Sequence, residues 1–102
     1  MAMLLAMYKK PADAAAFDAY YAATHVPLAK KIPGLRRYRV TAGPVMTPQG
    51  EAPYHLLAFL EFDSADAIRS GLGTPEGAAA AGDLGNFAQA GVDMLIMDTK
   101  DA

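Results

Sequence analysis

FDAYYAATHVPLAKKIPGLRRY, running from Phe17 to Tyr38, is the stretch on which the reading of this chain turns. It begins as an amphipathic, alanine-rich helix and passes through the turn signal Pro33-Gly34. It then enters a strand that opens with Arg36, Arg37 and Tyr38. Phe17, Tyr20 and Tyr21 give the helix an aromatic face, and His25 lies four residues beyond Tyr21, so the two share that face. Pro27 lacks a backbone donor and crowds the preceding turn, which predicts a kink or break near Thr24 to Val26, with His25 at a distorted position.

Outward from this stretch, short apolar runs alternate with helical ones. Met3 to Tyr8 is apolar on both alternate rows, as a strand buried on two faces would be. The first helix is expected from Ala12 to about Lys30, with Asp13 near its start where the helix dipole favours an anion. Leu35 to Ala42 reads as the second strand, and Gly43 to Pro53, with three prolines and two glycines, as a mobile loop or hairpin tip. Tyr54 to Phe62 is the third strand, with His55 on the row of Leu57 and Phe59. Ser64 caps a short helix through Arg69. Thr74-Pro75-Glu76 starts another, expected to be weak because Gly77, Gly82 and Gly85 interrupt it and to end irregularly around Asn86, Phe87 and Gln89. Val92 to Asp98 is the last strand, with Leu95, Ile96 and Met97 expected to be buried.

Strand, helix, strand, strand, split helix, strand is the order of the α+β, ferredoxin-like split βαβ fold with a four-stranded antiparallel sheet. At 102 residues the chain is expected to be one domain, residues 1–102. Hydrophobic residues make up 53% of it, more than one small core uses. The surplus predicts a homodimer in which two sheets face each other. A net charge of −2 leaves no electrostatic footprint for nucleic acid. No run is long enough to span a bilayer, and the apolar start MAMLLAMYKK has its positive charges after the apolar run, unlike a signal peptide. The absence of cysteine removes disulfides, thiolate nucleophiles and zinc–thiolate sites, and fits a cytoplasmic protein.

The run Tyr20-Tyr21, His25, Pro27-Leu28, Lys31, Pro33-Gly34-Leu35 resembles the EthD family, within the dimeric α/β-barrel superfamily. Thr74-Pro75-Glu76, Asp83 and Asn86-Phe87 resemble that family's second-helix signature, so the likeness spans nearly the whole chain. The chain departs from the pattern at Tyr21, where many relatives carry tryptophan. EthD-like proteins accompany ether-degrading haem monooxygenase systems. The wider superfamily includes muconolactone isomerases, polyketide cyclases, cofactor-free monooxygenases and haem-degrading enzymes. In lactone-isomerising relatives a histidine and a tyrosine near the helix–sheet cleft transfer protons. His25 and Tyr38 match these in kind and place, and His55 matches less closely.

The resemblance therefore implies a small cofactor-independent enzyme of isomerase, cyclase or lyase type. Its substrate would be a hydrophobic carbonyl compound such as a lactone or polyketide-like intermediate. His25 would move the proton and Tyr38 would bind the developing oxyanion. The pocket is expected between the first helix and the sheet, lined by Phe17, Tyr21, His25, Tyr38 and Phe87, with His55 as a further substrate contact. Two other functions stay open: a non-catalytic binding or accessory protein for an apolar metabolite, and a haem-handling protein with His25 as axial ligand. Competing readings of the residues also stand. His25 can cap carbonyls freed by Pro27, Tyr38 can be a packed strand aromatic, and His55 can be solvated. Arg36, Arg37 and Arg39 read as solvent or subunit-rim charges, and Asp83 as a local structural acceptor. No metal or cofactor is expected, since two histidines thirty residues apart without clustered carboxylates make a poor metal site.

Overall fold

Only one face of the first strand is covered by the rest of the chain. β1 (Ala2–Lys9) buries Ala2, Leu4, Ala6 and Tyr8 beneath the helices and turns Met3, Leu5 and Met7 to the opposite, partly exposed face. The structure, a computed structural model, describes residues 1–102. β1 lies between β5 (Tyr54–Phe62) and β6 (Val92–Asp98), and β2 (Arg37–Val40) completes the sheet in the order β2-β5-β1-β6, with every neighbouring pair antiparallel. The result is the ferredoxin-like sheet, with all helices on one side of a plate measuring 35 × 33 × 18 Å. Leu95 and Ile96 are not buried as their apolar character suggests: on the edge strand β6 they are 48% and 40% exposed, Leu95 on the open face opposite Leu5 and Ile96 at the rim of the helix-covered face opposite Leu4, and Met97 is only half-buried.

The first helical segment does not break at Pro27, and His25 does lie at a distorted position. Asp13 caps α1 (Ala14–Tyr20) by accepting from the Ala16 amide at 3.0 Å. A single π-helical turn, Tyr21–His25, then leads into α2 (Val26–Ala29). The Val26 amide bonds the Tyr21 carbonyl five residues back. In a regular helix Pro27 would meet the Ala23 carbonyl with no donor to offer, and the wider turn absorbs that mismatch without ending the helix. Gly34, at φ 86°, makes the reversal into β2, a conformation that disfavours any side chain.

Between β2 and β5, the expected loop closes into a two-stranded hairpin, β3 (Met46–Thr47) and β4 (Gly50–Glu51). Its turn is held by Thr47 Oγ1 donating to the Gly50 carbonyl at 3.0 Å. The pairing of β1 with β5 slips at one end. Tyr8 faces Leu56 and Lys9 faces Tyr54, so His55 has no partner. This bulge turns His55 toward the helices, where its ring meets Phe17 edge-on at 5.1 Å, rather than placing it on the open row with Leu57 and Phe59.

α3 (Ala65–Leu72) is capped by Ser64, and α4 (Pro75–Phe87) by Thr74 with Pro75 in its first turn. Contrary to expectation, α4 runs unbroken through Gly77, Gly82 and Gly85, and Asn86 and Phe87 belong to it. The glycines differ in what they do. A Cβ on Gly77 would lie 2.3 Å from the Gly71 carbonyl oxygen, so this glycine is what lets α4 approach α3, whereas one on Gly82 would meet open space. Gly77→Ala is therefore expected to destabilise the protein by about 1–3 kcal/mol through overpacking. Gly82→Ala should stabilise it by up to about 1 kcal/mol through helix propensity. Urea denaturation of the two variants separates these outcomes, and equal effects would defeat the argument.

Candidate functional site

The π-helical turn has a direct consequence for chemistry: it points both Tyr21 and His25 into the layer between helices and sheet, where they are 3% and 6% exposed. Their rings lie 5.3 Å apart. Opposite them, β1 presents Tyr8, and β2 presents Tyr38 on the row of Leu60, which also faces the helices. From the fourth side α4 contributes Asp83, on the buried row that it shares with Ala80 and Phe87.

These groups form two connected clusters. His25 Nδ1 lies 3.0 Å from Asp83 Oδ2. The other carboxylate oxygen, Oδ1, accepts from the Tyr20 hydroxyl at 2.6 Å and from Asn86 Nδ2 at 3.0 Å. The hydroxyls of Tyr21 and Tyr38 share a short hydrogen bond. Tyr8 joins the two clusters: its hydroxyl is 3.5 Å from His25 Nε2, at the long limit for a hydrogen bond, and its ring packs edge-on against Tyr21 at 5.5 Å. No buried side-chain nitrogen or oxygen in the structure lacks a partner.

Electrostatics assign the protonation states. Burial pushes the His25 pKa down, and the Asp83 carboxylate only partly offsets it, so His25 is neutral at pH 7. Burial works against the ionised form of Asp83, but donors from Tyr20, Asn86 and His25 outweigh it and hold its pKa below the usual carboxylate value. An ionised Asp83 needs a donor from His25, so Nδ1 carries the proton and Nε2 is the free base. Burial raises the pKa of Tyr8, Tyr21 and Tyr38, so all three phenols stay protonated as donors.

A cavity of about 40 Å³ lies among these side chains. His25, Tyr8, Tyr21 and Tyr38 supply its polar atoms, alanines and leucines make up most of the rest, and the exposed Ala81 and Met94 mark where it reaches the surface. At ~10–15 Å³ per water it has room for only a few waters. The expected pocket residues therefore divide among three places. Tyr21, His25 and Tyr38 meet at the cavity. Phe17 and Phe87 pack behind them and line a separate groove of about 560 Å³ on the outer surface. His55 faces a third hollow, of about 360 Å³, beside the β3–β4 hairpin, where Asp18 Oδ1 lies 2.7 Å from its Nε2. Phe17 stands between His55 and Tyr21, contacting both rings.

His25 does not act as a simple cap for the carbonyls near Pro27, because its nitrogens face Asp83 and Tyr8. The same placement gives haem iron no ready ligand, and a porphyrin could enter only with extensive rearrangement of the helices. No group of three or more His, Asp or Glu residues is arranged to hold a metal ion. Arg36 pairs with Asp63 at 2.9 Å on the exposed surface, as a solvent charge would. Asp83, Tyr8 and the hydroxyl of Tyr20 are the members of the site that the sequence reading undervalued. The available signal was an acid placed among Gly77, Ala80 and Phe87 on the apolar face of a helix.

This arrangement sits within a recognised family. The EthD domain family model matches residues 9–91, and the chain belongs to that family. It is 41% identical over 95 residues to an uncharacterised 11.0 kDa protein of the thcB–thcC intergenic region of Rhodococcus erythropolis, covering 92% of this chain and 90% of that one. The crystal structure of an EthD family protein from Bacillus halodurans superposes with a TM-score of 0.89 at 36% identity, covering 98% of this chain and 99% of the other. At 16% identity and a TM-score of 0.68, the fold alone is shared with SnoaB, a cofactor-independent oxygenase from Streptomyces nogalater, over 99% of this chain and 94% of that one.

The protonation states imply a pH dependence of stability. The unfolded chain takes up a proton at His25 near the ordinary value of 6.5, and the folded protein resists doing so until lower pH. Stability therefore falls as pH drops below 6.5, until the folded-state pKa is passed. Asp83 acts with the same sign at lower pH: its contribution is present above the ordinary value of 3.8 and is lost as pH falls through its depressed folded value. Denaturation midpoints measured between about pH 7.5 and 4.5 should fall toward acid. His25→Gln should flatten that slope, and an unchanged slope would show that His25 is not buried in its neutral form.

Proposed function

We propose that this protein is a cofactor-independent proton-transfer enzyme acting on a hydrophobic, carbonyl-bearing small molecule, such as a lactone or a polyketide-like intermediate. One observation carries the reading: a buried, neutral histidine, oriented by a carboxylate, turns its unprotonated Nε2 toward the phenol of Tyr8 at the edge of an apolar cavity that Tyr21 and Tyr38 also line. In the proposed reaction His25 Nε2 takes a proton from the carbon next to the carbonyl, and Asp83 stabilises the imidazolium that forms. Tyr38, relayed by Tyr21, donates a hydrogen bond to the oxygen as it becomes an enolate, in an environment dry enough to strengthen that bond. His25 then returns the proton at another carbon, giving isomerisation, at an oxygen that departs as its C–O bond breaks, giving elimination, or at the alkoxide left when the enolate carbon attacks a second carbonyl of the same molecule, giving cyclisation. The substrate enters past Ala81 and Met94, where a flexible thioether can move aside at little cost. Phe17 and Phe87 support the site from behind, and His55 buttresses Phe17 from its far side. A cytoplasmic setting fits the absence of cysteine.

The larger groove of about 560 Å³ lined by Phe17, Tyr20 and Phe87 favours a second reading, a non-catalytic binding protein for an apolar metabolite. Kinetics distinguish them. In a panel of aliphatic and aromatic lactones and β-dicarbonyl compounds, enzyme-dependent exchange of the α-hydrogen in D₂O identifies proton transfer. His25→Gln should lower that rate by roughly 10²–10⁴-fold while binding persists, and Tyr38→Phe should lower it by a smaller factor. Binding with no exchange by the wild-type protein would establish the second reading.

We further propose that two copies pair sheet to sheet to form an α/β barrel. The face of the sheet away from the helices carries Met3, Leu5, Met7, Phe59 and Leu95, with Arg37 and Arg39 at its β2 edge. An apolar face of that size is rarely left open to water, and covering it with a second copy would bury on the order of 2,000 Å² in total. Light scattering at micromolar concentration should give twice the chain mass, and Leu5→Asp should yield monomers. A wild-type monomer would refute this assembly.

A further inference from the structure

The carboxylate that orients His25 is itself held from its far side. Asp83 Oδ2 faces His25, while Oδ1 takes two hydrogen bonds, from Tyr20 Oη at 2.6 Å and from Asn86 Nδ2 at 3.0 Å. Tyr20 comes from α1 and Asn86 from the turn of α4 that follows Asp83, so the oxygen is gripped by two elements at once. Both donors line the open groove of about 560 Å³ on the outer surface, not the cavity. The network thus runs from a solvent-facing groove, through a carboxylate that is 6% exposed, to a histidine that is 6% exposed.

We infer that Tyr20 and Asn86 are positioning residues that set the basicity of His25 by dividing the charge of Asp83. A carboxylate whose second oxygen is saturated by donors has less negative charge to offer an imidazolium on the first. Removing one donor returns that charge to Oδ2 and makes His25 a stronger base, while Asp83 remains ionised at neutral pH. The groups facing His25 from every neighbouring element are accounted for: Tyr8 from β1, Tyr21 from its own turn, and Asp83 and Phe87 from α4, with Tyr38 of β2 across the cavity. Of these only Asp83 is charged at neutral pH, so its two outer donors are the available control on the imidazole. The catalytic meaning of this control rests on the proton-transfer reading above. The control itself does not.

The test is an NMR titration of His25 in the resting protein, with His55→Gln as the background that removes the second imidazole. Tyr20→Phe and Asn86→Ala should each raise the His25 midpoint, by about half to one unit, and the double variant should raise it further. Asn86 is exposed, so its variant keeps the fold even if loss of the Tyr20 hydroxyl loosens α1. An unchanged or lowered midpoint in folded Asn86→Ala or Tyr20→Phe overturns the inference. The readout needs no turnover. Raised midpoints without hydrogen exchange on any carbonyl compound would sink the catalytic reading and leave the positioning role standing. Unchanged midpoints beside His25-dependent exchange would do the reverse.

Discussion

A carboxylate buried between two helices must have its lone pairs filled, and much of this molecule is arranged around meeting that demand at Asp83. Burial alone would drive its proton back on. Three donors from three separate places in the chain prevent it: Tyr20 on α1, His25 on the π-helical turn and Asn86 one turn along α4. Bringing them together fixes α4 against the first helical segment and sets the rotation of that segment. It also fixes the tautomer of His25. A structural requirement and a chemical capacity are met by the same hydrogen bonds.

The geometry that makes this possible comes from local irregularities. Pro27 would crowd a regular helix, and the π-helical turn that accommodates it rotates Tyr21 and His25 inward together. Gly77 carries no Cβ, so α4 can start close against the end of α3. The bulge at His55 turns a second imidazole toward the helices but leaves it on the other side of Phe17, beside Asp18. The two histidines therefore occupy different environments, one sealed and one at the rim of an open hollow.

Membership of the EthD family places this chain among small proteins that share a sheet and a helical layer, while the more distant likeness to a cofactor-independent oxygenase concerns the fold alone. What chemistry the fold supports must come from its site. Here the site offers a base, an orienting acid and phenolic donors in an apolar setting, which suits shifting protons on a polarised carbonyl.

The order of the helices and of the four strands of the main sheet is legible in the sequence, since period, caps and turn residues are local signals: Asp13, Ser64 and Thr74-Pro75 mark helix starts, and Pro33-Gly34 marks the reversal into β2. It also marked the stretch holding His25 and the phenols Tyr21 and Tyr38. The aromatic spacing and the family likeness bring these together in the sequence alone. Three things were decided only in the tertiary structure. The distortion at Pro27 became a π-helical turn because packing of Tyr21 and His25 against the sheet holds the helix together across it. α4 stayed whole despite its glycines because contact with α3 outweighs their weak propensity. Asp83 became the partner of His25 because the two are fifty-eight residues apart and meet only when α4 docks. A hydrogen bond between distant residues leaves no periodic trace in a sequence. Its members look like ordinary polar residues until folding brings them within reach of each other.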